Sequence, residues 1–170
     1  MTMSDRPRPS DPRLVGIYLN DHLAGAVAGS RRLRRTAEVL RSTPVGPGLA
    51  RVASEVEQER EELAAVVAHL DVTQAWPKQA LAWVGERVAR LKADRSRMRS
   101  SPITTLLEVE LLRSAVMGKR GVWQALVDLA GDLALDESRM VELVEQTERQ
   151  LQTLDEVHAY VRIRAMRLVR

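Results

Sequence analysis

Leu49, Val52, Val56, Leu63, Val66 and Leu70 recur at steps of three, four and seven residues, and Glu59 stands in the one gap of that stripe. This is the period of an α-helix with one apolar face, and such a face has to be covered by other helices. The same period runs through most of the chain. A first helix is expected over roughly 12–41, opened by an Asp11-Pro12 cap-then-proline signal and stopped by STPVGPG. A second spans roughly 47–70. After a connection at 71–76, Pro77 opens a shorter helix to about 93, with Leu81, Val84, Val88 and Leu91 on its stripe. Ser101-Pro102 repeats the opening signal for a helix to about 130, which Gly131 closes, and Asp136 caps a last helix to about 168.

No strand pattern or internal repeat interrupts this series. The expected fold class is all-α: four long helices and one short one, in a single domain over 12–170 behind a disordered arm at 1–11. At 1.5 Å per residue the long helices measure about 36–48 Å, the length of a four-helix bundle.

Composition narrows the chemistry. The chain has 170 residues, 45% of them hydrophobic, with no Phe and only three Trp and two Tyr. The core must therefore be built from Leu, Val, Ala and Met, which suits helix-on-helix packing. The absence of cysteine excludes disulfides, thiolate metal sites and Cys nucleophiles. The start, MTMSDRPRPSDP, lacks the apolar segment of a signal peptide, and no apolar run reaches the ~20 residues that span a bilayer. A cytoplasmic location is the expectation.

The phrases LNDHLAGAVAG, LAWVGERVARLK and LLEVELLRSAVMGKRGVWQAL resemble a family of uncharacterised bacterial all-helical proteins with the ferritin-like bundle. The resemblance covers most of 14–157. It implies a ferritin-like four-helix bundle whose short extra helix lies in the crossover between the second and third long helices. Ferritin-like di-metal proteins carry Glu-x-x-His on two helices and a Glu on each of the others. This chain has no Glu-x-x-His. Gln58 stands where Glu55 would need His, Leu151 stands where Glu148 would, and the middle of the first helix offers Gly25, Ala26, Ala28 and Gly29 in place of a carboxylate.

Ionisable residues on the core stripes are the remaining candidates for chemistry. His22 lies on the stripe Val15, Leu19, Ala26, Gly29, Leu33. Glu59 fills the gap in the second helix. Glu110 falls on Ile103, Leu107, Ser114, Met117, and His158 on Leu143, Thr147, Leu151, Leu154, Val161. Antiparallel neighbours bring His22 level with Glu59, and Glu110 level with His158. If all four met at one level they could hold a divalent metal such as Fe, Mn or Zn. If the short helix spans the bundle, the two pairs occupy layers roughly 15 Å apart. The reading preferred on sequence is structural ion pairs and no cofactor.

Gly25-x-x-x-Gly29 reads as a seat for close helix packing, with room cleared for a ligand as the alternative. RRLRR (31–35), RVARLKADRSRMR (87–99) and RIRAMRLVR (162–170) are basic runs, partly balanced by EVEQEREE (55–62); net charge is +3. An Arg-rich nucleic-acid or polyanion binder would use these runs for phosphates, but the aromatics that stack bases are missing. Met166, Leu168 and Val169 offer a docking end for a partner or a sister subunit. Trp76, Trp83 and Trp123 read as core or crossover anchors, with a partner hot spot as the alternative. The expected function is a non-catalytic helical binding or scaffold module, self-associating through a protein partner or a second copy. A divergent metal-binding protein and a nucleic-acid binder are the alternatives.

Overall fold

Asp11 caps the first helix as its position requires, its Oδ1 accepting from the backbone N–H of Arg13 at 2.9 Å and of Leu14 at 3.4 Å. The computed structural model describes residues 9–71 and 102–167. Within them it has four helices: α1 (Pro12–Leu40), α2 (Gly46–His69), α3 (Pro102–Asp128) and α4 (Glu137–Ala165). Asp136 caps α4 by accepting from Arg139 N at 3.3 Å. The short helix expected at 77–93, with Trp76 and Trp83, lies outside the described residues, as does most of the arm expected at 1–11. Among the described residues there is no strand, and no helix is long and apolar enough to cross a membrane.

Two short connections make two hairpins, α1–α2 and α3–α4. The pairs then pack so that α1 touches α2 and α3, while α4 touches α3 and α2. Direction follows from which helix ends share a core cluster. One cluster joins the end of α1 (Leu33, Leu40) to the starts of α2 (Leu49, Val52) and α3 (Leu106, Val109) and the end of α4 (Leu154, Val161). The other joins Leu19, Leu63, Val67, Trp123, Leu126 and Leu143 at the opposite end. Neighbouring helices are therefore all antiparallel, while α2 and α3, on a diagonal, run parallel. The chain leaves α2 at one end of the bundle and enters α3 at the other.

Two local details depart from expectation. Gly131 does not supply the left-handed residue after α3; no glycine among the described residues has positive φ, and Ala134 takes that conformation at φ 52°. Asp71, just past α2, does the same at φ 47°. The tight turn into α2 does need its glycine. A Cβ on Gly46 would lie 2.6 Å from the backbone oxygens of both Leu40 and Arg41, neither of which can move aside.

The third long helix turns a different face inward from the stripe chosen on sequence. Leu107 and Met117 are 47% and 49% exposed, while Leu106, Val109, Leu112, Val116, Trp123 and Leu126 are buried. Both sets keep helical spacing, so periodicity alone does not decide between them. The buried set wins because it meets α1 on one side and α4 on the other.

Replacing Ala134 by Gly relieves the left-handed strain and is expected to raise stability by about 1 kcal/mol. Gly46→Ala should cost more than ~1 kcal/mol. Urea midpoints measure both, and equal midpoints for the two variants would contradict the turn geometry.

Candidate functional site

Glu59 is the best-enclosed charge among the described residues, with 2% of its side chain exposed. The α2 stripe forces it inward. Lys119 reaches it across the bundle diagonal from α3 and donates to Oε2. On α4, Gln150 Nε2 donates to Glu59 Oε1 at 2.7 Å, and Gln146 Nε2 donates to the same oxygen at 2.9 Å. Gln150 Oε1 in turn accepts from Lys119 Nζ at 2.5 Å, and its Nε2 also donates to Glu55 Oε2 at 2.9 Å. Three helices thus meet in one polar layer, and this layer separates the two apolar clusters.

Both Glu59 oxygens are engaged by donors and the adjacent ammonium cancels the charge. A general base or a metal ligand needs those same lone pairs. The layer as it stands is a clasp. Burial pushes the Lys119 ammonium below its ordinary pKa, and the attraction of the Glu59 carboxylate opposes that.

A cavity of about 90 Å³ lies against this clasp. Leu33, Val56, Leu63, Val116, Val122 and Trp123 give it apolar walls, Glu59 and Lys119 close one side, and α1 contributes His22, Gly25, Ala26 and Gly29. The glycines were expected to seat a close neighbour. Instead, a Cβ built on Gly25 or Gly29 meets no atom within 4 Å beyond its chain neighbours and the backbone of its own helix. The small residues of α1 leave space where larger ones would have filled the bundle centre. Trp123 is 1% exposed, yet its Nε1–H has no hydrogen-bond partner among the described residues.

The four metal candidates separate into two places. His22 and Glu59 line the same cavity, as their level suggested, but no hydrogen bond or ion pair joins them; Glu59 is taken by Lys119. The His22 ring packs edge-on against Tyr18, with centroids 4.6 Å apart at 65°. Burial lowers the His22 pKa, outweighing neighbouring Asp21, which pulls the other way. The contact expected to favour charged His22 is therefore replaced by an environment that favours the neutral ring. Glu110 and His158 do meet, at 3.3 Å. Counting from Lys119 to Glu110 along α3, or from Gln150 to His158 along α4, places that pair about 12–14 Å from the clasp. The separate-layer arrangement holds, and no cluster of three or more His, Asp or Glu suited to a metal occurs among the described residues.

The basic runs are partly committed to the fold. Arg32 makes a bidentate pair with Glu108 at 2.9 and 2.7 Å, tying α1 to α3. Arg34 sits 3.4 Å from Glu57. Arg139 makes a second bidentate pair with Glu62, both bonds 2.8 Å, tying α4 to α2. Near the end of α4, Arg164 stacks on Tyr160 at 3.6 Å. The run at 87–99 lies outside the described residues.

Lys119, Gln146 and Gln150 were missed on sequence. The buried series Val109, Leu112, Val116, Lys119, Trp123, Leu126 carried the signal, since Lys119 continues its three–four spacing. No protein-family model, curated protein or solved structure matches the chain.

Lys119→Met should cost about 3–5 kcal/mol, because it strands a buried carboxylate. Adding Glu59→Gln to the same chain should recover a large part of that loss. Chemical denaturation of the two variants checks this; no recovery would mean that charge pairing is not what Lys119 supplies. His22 gives a pH test. Its folded pKa lies below its unfolded one, so the unfolded chain binds the extra proton first. Stability attributable to His22 is full above about pH 6.5 and falls as pH drops below it. Relative to His22→Gln, the wild type should lose stability between pH 6.5 and 5, as read by thermal melts. A constant difference would rule out a buried neutral ring.

Proposed function

We propose that the chain is a non-catalytic helical binding module that works by enclosing a ligand in its interior. One observation carries this reading: the central carboxylate is saturated by Lys119, Gln146 and Gln150, while the space beside it is left open. A general base or metal ligand would need the lone pairs that these donors occupy. Here the charge is spent on alignment and the volume remains.

The layout supports a ferritin-like arrangement, in which one long crossover joins a second and third helix that run parallel. We further infer self-association. Leu14, Ile17 and Tyr18 share one face of α1 at 63%, 48% and 38% exposure. Three large side chains one turn apart form the kind of surface patch that marks an interface.

The test is elemental analysis together with native mass measurement of the purified chain. The expected result is no stoichiometric Fe, Mn or Zn, no gain in Tm when these ions are added to chelated protein, and a dimer. One equivalent of bound metal with a raised Tm would overturn the binding-module reading, and a strict monomer would overturn self-association.

A further inference from the structure

The outer face of α1 carries a second stripe that the bundle core does not use. Leu14 and Ile17 open it, Asp21 follows, Ala24 and Ala28 form its middle, and Arg31, Arg35 and Val39 complete it. Each stands three or four residues from the last. From Leu14 to Arg35 the steps make three heptads, the period of a seam between two helices. None of these residues belongs to the buried face of α1, which includes Leu19, Ser30, Leu33 and Leu40.

The stripe holds unused contact groups. Leu14, Ile17 and Val39 are large apolar side chains left exposed. Arg32 and Arg34 beside it are paired with Glu108 and Glu57 within the fold. Asp21, Arg31 and Arg35 make no ion pair among the described residues, and both arginines are exposed.

Its order is what selects an occupant. About a midpoint between Ala24 and Ala28, Asp21 answers Arg31, Ile17 answers Arg35, and Leu14 answers Val39. All of these matched pairs centre on position 26 to within half a residue. Two such stripes laid parallel would set Asp21 against Asp21 and arginine against arginine. Laid antiparallel, each copy's Asp21 faces the partner's Arg31, and the two-fold makes that pair twice. The aliphatic stem of Arg35 can then lie on the partner's Ile17 with its charge turned towards the partner's Asp21. Leu14 meets the partner's Val39, and the alanines at the centre let the backbones approach.

We propose that two copies of this chain associate through the outer faces of α1, antiparallel, with the two-fold axis passing between Ala24 and Ala28. The inference rests on the self-association reading and supplies its direction and register. The exposed patch at the start of α1 finds its cover at the far end of the partner's α1. The seam from Leu14 to Val39 is about 37 Å long at 1.5 Å per residue.

The chain has no cysteine, so introduced cysteines report on register without background. Leu14→Cys chains mixed with Val39→Cys chains under mild oxidation should give a covalent dimer on a non-reducing gel. Neither variant alone should do so, because like positions lie about 36 Å apart in the antiparallel pair. Native mass measurement supplies the charge test. Asp21→Arg and Arg31→Asp should each raise the dimer dissociation constant about tenfold, since the two-fold repeats every change. Mixed together, these two variants should form a heterodimer close in affinity to the wild-type pair, because both facing pairs are again of opposite sign. Cross-linking within either single-cysteine variant, none in the mixture, or a dimer indifferent to both reversals would overturn the proposed register while leaving self-association in place. A strict monomer of the unaltered chain would overturn both.

Discussion

The ion pair between Glu59 and Lys119 spans the diagonal of the bundle, and the rest of the architecture is arranged around it. Desolvating two charges costs several kcal/mol per ion before their attraction returns it. The pair is tolerable here because Gln146 and Gln150 complete the carboxylate's bonds and Gln150 also accepts from the ammonium. Stability comes mainly from the apolar clusters on either side, where each fully buried Leu or Val contributes about 1.5–3 kcal/mol. The polar layer supplies something those clusters cannot. Leu packs against Leu in many registers, but Glu59 meets Lys119 and two glutamines in only one.

Beside that diagonal contact, α1 is thin where it passes the centre. Four-helix packing normally lets neighbours touch and keeps diagonals apart. Gly25, Ala26 and Gly29 withdraw side-chain volume from one wall, and the open space beside the clasp is the result.

Helices and caps were legible in the sequence because their signals are local. Asp11-Pro12 and Asp136 need only their own next turn, and Glu59 was legible as buried because its α2 stripe has no rival. The third long helix had two competing stripes, so Leu107 and Met117 looked as inward as Leu106 and Val116. Lys119 stayed hidden because a lysine on helical spacing ordinarily points its charge to water. At Gly25 and Gly29 the preferred reading of close packing gave way to its alternative, open space, for a simpler reason: a glycine says only that a side chain is missing, and the neighbouring helices decide whether anything fills the gap. Ala134 gave no sign of its left-handed turn, which the loop around it imposes. For His22 the height was right and the partner wrong, because a residue on a distant segment claimed Glu59 first.

The division of the clasp between the two hairpins bears on how the molecule assembles. Glu59 and Glu55 belong to α1–α2, whereas Lys119, Gln146 and Gln150 all belong to α3–α4. Glu59 and Lys119 find each other only across the two hairpins. Alone, each would either keep its charged residue hydrated, holding its apolar face open to water, or bury an orphan ion. Docking of the halves is therefore the event that makes each half tolerable, and the cooperativity of this bundle is written into which side of the connection each member of the pair occupies.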